Sequence, residues 1–146
     1  MTYEENNIFA RILRNELPAH RVYETEHVLA FMDIMPRGVG HALVIPKAPS
    51  RNILDARPED LGALFEAVQR VATASKSAFQ ADGVTIQQFN ETAGGQVVFH
   101  LHVHVIPRFD GQPLRPPSGQ MENPDVLAEH AAKLRAALSD LEAAKT

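Results

Sequence analysis

The chain has 146 residues, of which 45% are hydrophobic and 22% are charged, and its formal net charge at pH 7 is −4. A chain of this length is expected to fold as one domain, residues 1–146, with a core that needs no covalent staple. The negative charge and the absence of any basic run predict no nucleic-acid partner, and the absence of cysteine excludes disulfides, thiolate nucleophiles and cysteine metal ligands.

The N-terminal stretch "MTYEENNIF" is acidic and polar, and it does not match the pattern of a secretory signal peptide. No apolar run approaches the roughly 20 residues that a membrane-spanning helix needs. The sequence therefore predicts a soluble, cytoplasmic protein that has no membrane partner.

The first third of the chain predicts a short helix followed by three strands. Apolar residues recur at helical spacing from Ile8 to Leu17, which indicates a helix that ends before Pro18. "RVYET" and "VLAFMDI" are typical of two strands joined by a tight turn at residues 24–27. After the loop "MPRGVG", the apolar stretch "HALVIPK" predicts a third strand that Pro46 ends.

The rest of the chain predicts a long helix, a hairpin and a final helix. Residues 58–80 place apolar side chains at helical spacing behind Pro58, and "VTIQQFN" then predicts a strand. The turn "ETAGGQ" leads into the strand "FHLHVHVIPR", and these two strands are expected to pair. Residues 109–146 are predicted to be a Pro/Gly-rich connection and a C-terminal helix that begins near Asn123. The fold class is α+β: an antiparallel sheet of about five strands, packed with one long helix and short terminal helices.

Three histidines alternate with apolar residues in "FHLHVHVIPR". Since successive side chains of a strand point to opposite faces, His100, His102 and His104 are expected to share one face, which must be open to something polar. A solvated surface, a metal site and a nucleophilic imidazole all fit this pattern. Strand rise separates the outer two histidines by about 13 Å, which is too far for both to ligate one ion comfortably. A nucleophilic imidazole can attack phosphorus, provided that a neighbour fixes its tautomer and donors surround the phosphate.

The segment "NETAGGQ" precedes the histidines. Gly94 and Gly95 permit tight backbone conformations in which successive N–H groups can cup an anion. Alone, this glycine pair would indicate an ordinary hairpin turn. Beside three histidines, it becomes a candidate phosphate site.

Three stretches resemble the histidine triad (HIT) family in its bacterial type. "GGQVVFHLHVHVIPR" resembles the family's His-x-His-x-His signature, "FMDIMPRGVGHALVIPK" resembles the segment that supplies an Asp and a fourth His, and "NIFARILRNELPAHRVYE" resembles its N-terminal helix and first strand. The resemblance covers residues 6 to about 108. It implies one HIT-like domain, a homodimer, and hydrolysis or transfer of nucleotides at the α-phosphate.

The resemblance also implies a role for each matching residue. His102 corresponds to the nucleophile, His104 to the group that binds the phosphate and the leaving group, and His100 and His41 to residues that orient the triad. Asp33 corresponds to the carboxylate that binds the ribose. The base pocket and the phosphate contacts correspond to two further sets: Phe9, Ile12 and Ile34, and Asn90, Gly95, Gln96 and the backbone at Val98.

Two departures from the family pattern modify this expectation. Asn7, Ala10 and Pro49 stand where many bacterial relatives have zinc ligands, so neither a structural zinc nor any cofactor is expected. Val97 stands where a hydroxyl often donates to the phosphate or the leaving group. The expected substrates are purine nucleoside phosphoramidates or dinucleoside polyphosphates. A metal-dependent hydrolase and a nucleotide-binding regulator with incidental catalysis are the alternatives.

Overall fold

The structure, a computed structural model, describes residues 2–117 and 120–144 and contains one antiparallel sheet with helices on both faces. The five strands lie in the order β1-β2-β3-β5-β4. They are β1 (Arg21–Glu24), β2 (Val28–Met32), β3 (Ala42–Pro46), β4 (Gly83–Gln87) and β5 (Val103–Arg108). The helices are α1 (Ile8–Leu13), α2 (Pro58–Ala78) and α3 (Pro124–Ala144), with a 3₁₀ turn at Thr92–Gly94. The predicted α+β class with about five strands is confirmed. The prediction of a short C-terminal helix is wrong, because α3 has 21 residues and is as long as α2.

Each face of the sheet carries its own apolar cluster. The long helices α2 and α3 cover one face, where Leu64, Val71 and Leu134 pack on inward-facing residues of β2, β3 and β5. The short helix α1 covers the other face, where it contributes Phe9 and Ile12. The second face is less completely covered, and it is the face on which polar chemistry can reach the sheet. Within the described residues, no helix is both long enough and apolar enough to cross a membrane.

The short helix α1 ends earlier than the periodicity predicts. Asn7 caps its start, since the side-chain oxygen accepts from the Ala10 N–H at 2.9 Å. The helix ends at Leu13, because Asn15 adopts a left-handed backbone conformation with φ of 62°. Leu17 still packs against the second cluster, although it lies outside the helix.

The histidine strand is shorter than predicted, and its histidines are not on an open strand face. β5 begins at Val103, because pairing with β3 ends at Val44 opposite Val103. Leu101 instead donates its N–H to the carbonyl of Ser50 at 2.8 Å. His100 therefore lies in a bend at residues 98–100 and His102 in irregular chain directly before the strand, and both are buried. Only His104 belongs to the strand.

The predicted pairing of β4 with β5 is confirmed, with Gly83 opposite Arg108 and Gln87 opposite His104. The connection is not a tight turn, because residues 88–102 form a long loop that contains the 3₁₀ turn. The Pro/Gly-rich connection has no regular structure in its described part, as predicted. It is held against the β2–β3 loop, since the Arg115 N–H donates to the Arg37 carbonyl at 2.8 Å.

Candidate active site

Four histidines meet on the sheet face that α1 covers. His41 directly precedes β3, while His104 lies in β5 opposite Leu43, so strand pairing brings the two rings together. The rings of His102 and His104 have centroids 5.1 Å apart. His100 is fully buried beside them. The structure thus brings together all four histidines that the resemblance groups.

The tautomer of His102 follows from its hydrogen bond to the backbone. Its Nδ1 lies 2.7 Å from the carbonyl oxygen of His100, and a carbonyl can only accept, so Nδ1 carries the proton. Burial lowers the pKa of His102, which favours the neutral ring. The lone pair therefore lies on Nε2, which has no hydrogen-bond partner among the described residues. An imidazole in this state is a nucleophile without prior loss of a proton.

The tautomers of His41 and His104 follow in the same way. The backbone N–H of Arg37 donates to Nδ1 of His41 at 3.0 Å, so the proton of the His41 ring lies on Nε2. That N–H donates to Nδ1 of His104 at 2.9 Å, which leaves the His104 proton on its own Nε2. Burial lowers the pKa of His41 to about 3 and that of His104 to about 4, so both rings are neutral at pH 7. The site thus offers the Nε2 lone pair of His102 and the Nε2–H of His104 on neighbouring rings.

His100 supports the site through hydrogen bonds within the protein. Its Nε2 donates to the carbonyl of Pro46 at 2.8 Å, and its Nδ1 accepts from the hydroxyl of Tyr3 at 2.7 Å. Both ring nitrogens are thereby used within the protein, so this side chain cannot itself bind substrate. Its carbonyl orients His102. This geometry supplies a physical route for the orienting role that the resemblance implies.

Asp33 lies at the end of β2, beside His41. One carboxylate oxygen accepts from the Met35 N–H at 2.8 Å, and the other lies 3.5 Å from Nε2 of His41. Burial raises the pKa of Asp33 to about 6, and the Met35 N–H partly opposes that shift. The carboxylate is therefore ionised at pH 7 and has lone pairs free for a hydroxyl donor.

The three residues predicted for the base pocket have different environments. The ring of Phe9 contacts the ring of His102 edge-on, with centroids 4.9 Å apart, and Ile12 is buried in the same apolar cluster. Ile34 is 40% exposed and lies outside that cluster. The structure therefore brings Phe9 to the histidines directly and leaves Ile34 at the surface.

The predicted phosphate contacts divide into framework side chains and free backbone donors. Gln96 is buried, and its amide makes four hydrogen bonds within the protein. The amide of Asn90 is likewise engaged, with Gln88 and the Ile53 N–H. Gly95 adopts φ of 97°. In contrast, the backbone N–H groups of residues 97–99, including that of Val98, have no acceptor among the described residues.

A cation could be held at one point of the site. Atoms of Asp33, His41 and His104 lie within 4.8 Å of one another, and a carboxylate with two imidazoles is a ligand set that suits zinc. Nε2 of His41 and Nδ1 of His104 are joined by a hydrogen bond, so a cation bound at these two nitrogens would have to replace that proton. The expectation of no metal stays a prediction.

Sequence reasoning missed the residues that hold the site from outside the motif. Tyr3, Arg51 and Asn52 contact motif residues across separations of 97, 40 and 44 positions. Nothing in their local sequence distinguishes them from ordinary loop residues. Glu91 is the exception, because it lies in the "NETAGGQ" segment that the sequence already marks as a candidate phosphate site.

Comparisons with known proteins find relatives with a similar sequence and fold. The family model described as HIT domain matches residues 14–111. A crystal structure of a Hit-like protein involved in cell-cycle regulation from Bartonella henselae is 54% identical, with a TM-score of 0.88 over 93% of this chain and 99% of that one. A histidine triad nucleotide-binding protein from Sulfolobus tokodaii is 32% identical, with a TM-score of 0.86 over 92% and 93%. A zinc-bound histidine triad protein from Mycobacterium smegmatis is 37% identical, with a TM-score of 0.85 over 95% and 97%.

Proposed function

Because the chain belongs to the HIT family and is of the nucleotide hydrolase kind, we propose that it cleaves nucleotides at the α-phosphate through a covalent intermediate on His102. The proposed substrates are purine nucleoside phosphoramidates or dinucleoside polyphosphates. The observation that carries the proposal is the free Nε2 lone pair of His102, whose tautomer the His100 carbonyl determines. No cofactor enters the proposed reaction.

The proposed reaction has two displacements at phosphorus. In the first, Nε2 of His102 forms a bond to phosphorus while the bond to the leaving nitrogen or oxygen breaks. The leaving atom accepts a hydrogen bond from the Nε2–H of His104, which keeps its proton, and takes up one proton from solvent. In the second, water forms the new bond to phosphorus, releases a proton to solvent and returns the electron pair to Nε2. Since His102 keeps its Nδ1 proton, the nucleotidylated ring is a cation, and the His100 carbonyl accepts its Nδ1–H. The positive charge makes the ring a good leaving group, because it departs as a neutral imidazole.

The surroundings of His102 support the binding of a nucleotide phosphate. The free N–H groups of residues 97–99 offer donors for the phosphate oxygens. Asp33 offers an ionised acceptor for ribose hydroxyls, and the Phe9 ring contacts the His102 ring. These groups supply one partner for each chemical part of a nucleotide.

A metal-dependent hydrolase is the second candidate, and the proximity of Asp33, His41 and His104 favours it. Hydrolysis of adenosine 5′-phosphoramidate, measured with and without excess chelator, separates the two. Turnover that resists chelator supports the imidazole nucleophile, whereas turnover that chelator abolishes assigns the histidines to a metal.

His102→Ala tests the nucleophile directly. Removal of the imidazole is expected to abolish hydrolysis of the phosphoramidate while AMP affinity stays within about tenfold, because binding and chemistry are separable. His27→Ala, in the exposed β1–β2 turn, is the matched control and should keep wild-type turnover. Wild-type turnover in His102→Ala would exclude the covalent mechanism.

We also propose that the protein is a homodimer. β4 is an edge strand of the sheet, and Ile86 on it is 42% exposed, so this edge can pair with a second copy. Sedimentation equilibrium at micromolar concentration tests this, and a monomer would contradict it.

A further inference from the structure

The free backbone donors of residues 97–99, here called the phosphate cradle, belong to no helix or strand. The preceding N–H groups are used, since those of Gly94 and Gln96 donate to the Glu91 carbonyl and that of Gly95 to the Thr92 carbonyl. Free donors in irregular chain can bind a phosphate only if something holds them in place. The residues that hold the phosphate cradle are therefore part of its function.

Gln96 ties the start of the phosphate cradle to the loop that follows β3. Its side-chain oxygen accepts from the Glu91 N–H at 2.8 Å and from the Asn52 amide at 3.0 Å. Its side-chain nitrogen donates to the carbonyls of Arg51 at 2.7 Å and Val98 at 3.0 Å. One buried amide thus joins two loops, and it is positioned by Glu91, Arg51 and Asn52.

Glu91 holds a backbone conformation that an L-residue rarely adopts. Its φ of 63° and ψ of 163° lie in a region that is normally populated by glycine. Two hydrogen bonds from Arg51, at 2.8 and 3.0 Å, and one from Asn52, at 2.6 Å, hold its carboxylate. These side-chain contacts therefore keep the backbone of Glu91 in the conformation from which its carbonyl accepts hydrogen bonds from the N–H groups of Gly94 and Gln96.

Arg51 reaches the phosphate cradle itself. Its guanidinium lies 4.3 Å from the ring centroid of Phe99, and it also donates to the carbonyl of Thr2 at 2.9 Å. Arg51 thus contacts three parts of the structure: the carboxylate of Glu91, the ring of Phe99 in the phosphate cradle, and the N-terminal segment at Thr2. Neither Arg51 nor Glu91 has a part in the proposed displacements.

We propose that Arg51 and Glu91 are positioning residues, which hold the phosphate cradle open for the α-phosphate of a nucleotide. This proposal rests on the proposed function. It assigns the pair a specific effect: the pair acts on the binding of the phosphate and not on that of the nucleoside.

The binding of AMP and of adenosine by calorimetry at pH 7.5 tests the proposal. Glu91→Gln and Arg51→Lys are expected to bind AMP at least about tenfold more weakly than wild type, with adenosine affinity within about twofold. Glu91→Gln also separates geometry from charge. A purely electrostatic role predicts tighter AMP binding, because that substitution removes a negative charge and leaves Arg51 unpaired. Arg51→Lys retains the charge and loses the two-point contact.

Arg57→Gln is the matched control, since Arg57 makes a similar two-point contact with Asp60 at the exposed start of α2. It should change neither affinity. Equal losses for AMP and adenosine, or unchanged or tighter AMP binding in both variants, would overturn the proposal. If one variant fails to fold by circular dichroism, the other decides. A wild-type protein that does not bind AMP would overturn the proposed function as well, so the two failures are distinguishable.

Discussion

At the scale of single residues, backbone groups of fixed polarity determine the protonation pattern of the histidine cluster. The Arg37 N–H can only donate, and the carbonyls of His100 and Pro46 can only accept. Burial keeps the rings neutral at pH 7, so each ring has one proton in a determined place. The folded backbone therefore fixes the protonation of His102, the proposed nucleophile, so that it needs no general base to deprotonate it.

Asp33→Asn is expected to remove a pH dependence of nucleoside binding. Because the pKa of Asp33 is raised to about 6, its carboxylate gains a proton as the pH falls through 6 and loses acceptor capacity for ribose hydroxyls. Wild-type affinity for adenosine should therefore fall between pH 7 and pH 5, by up to about tenfold per unit once the carboxyl is mostly protonated. Adenosine carries no phosphate that titrates in this range.

The variant should bind adenosine more weakly at pH 7 but with little further change at pH 5. Calorimetric titrations at both pH values measure the difference. An identical pH dependence in the two proteins would show that another group titrates.

Sequence motifs could identify the candidate reactive residues but not the residues that hold them in place. The His-x-His-x-His spacing and the Asp before the loop are local patterns, so a single stretch of sequence reveals them. Tyr3 contacts His100, and Arg51 contacts Glu91, only because the fold brings distant loops together. No local pattern encodes such contacts. The role of Gln96 could not be predicted from local sequence either. Only its burial in the folded chain shows that its amide bonds to the protein itself and is not free to bind phosphate.

At the scale of elements, the β2–β3 loop delivers Asp33 and His41 to the same point. The loop is closed where the Asp33 N–H donates to the His41 carbonyl at 2.9 Å. Just inside this closure, Gly40 adopts φ of 78°, and it lies against Phe79 at the end of α2. The helix that covers one face of the sheet thereby supports a loop that serves the other.

Gly40→Ala is expected to destabilise the protein by about 1–3 kcal/mol. A Cβ at this position would lie 2.5 Å from the Phe79 ring, and the positive φ is itself unfavourable for alanine. Gly62→Ala within α2 is the control, since a Cβ there meets nothing within 4 Å. The control should be stabilising by about 0.5–1 kcal/mol. Urea unfolding measures both, and a Gly40→Ala protein as stable as wild type would contradict the steric argument.

Hydrophobic periodicity could predict every regular element, whereas it could not predict where β5 begins. Alternation of apolar and polar residues is the same in a paired strand and in unpaired extended chain. The pairing stops at Val103 although β3 continues to Pro46, because the chain before Val103 turns to another partner, with the Leu101 N–H donating to the Ser50 carbonyl. His100 and His102 lie just before the point where β5 begins to pair with β3. That point depends on two separate segments of the chain, so the sequence of the histidine segment alone does not reveal it.

At the scale of the whole molecule, the site places several titratable groups inside the protein, and this couples stability to pH. The pKa values of His41, His100 and His104 are lowered by burial to about 3, 4 and 4, below the ordinary value of 6.5. Between pH 4 and 6.5 the unfolded chain therefore binds more protons at these rings than the folded chain does, and the difference approaches about three near pH 5. Asp33 acts in the opposite direction, since its folded pKa of about 6 is above its ordinary 3.8.

The free energy of unfolding is therefore expected to fall as the pH is lowered from 7 to 5. Near pH 5 the three histidines and the opposing Asp33 leave about two extra protons on the unfolded chain, which corresponds to a slope of roughly 3 kcal/mol per pH unit. Asp33→Asn removes the opposing group, so its slope should be steeper by about one proton, roughly 1.4 kcal/mol per unit. Urea unfolding at pH 5, 6 and 7 and constant protein concentration measures both slopes. A stability that is flat across this range would mean that the rings are protonated in the folded protein, and the neutral nucleophile at His102 would lose its basis.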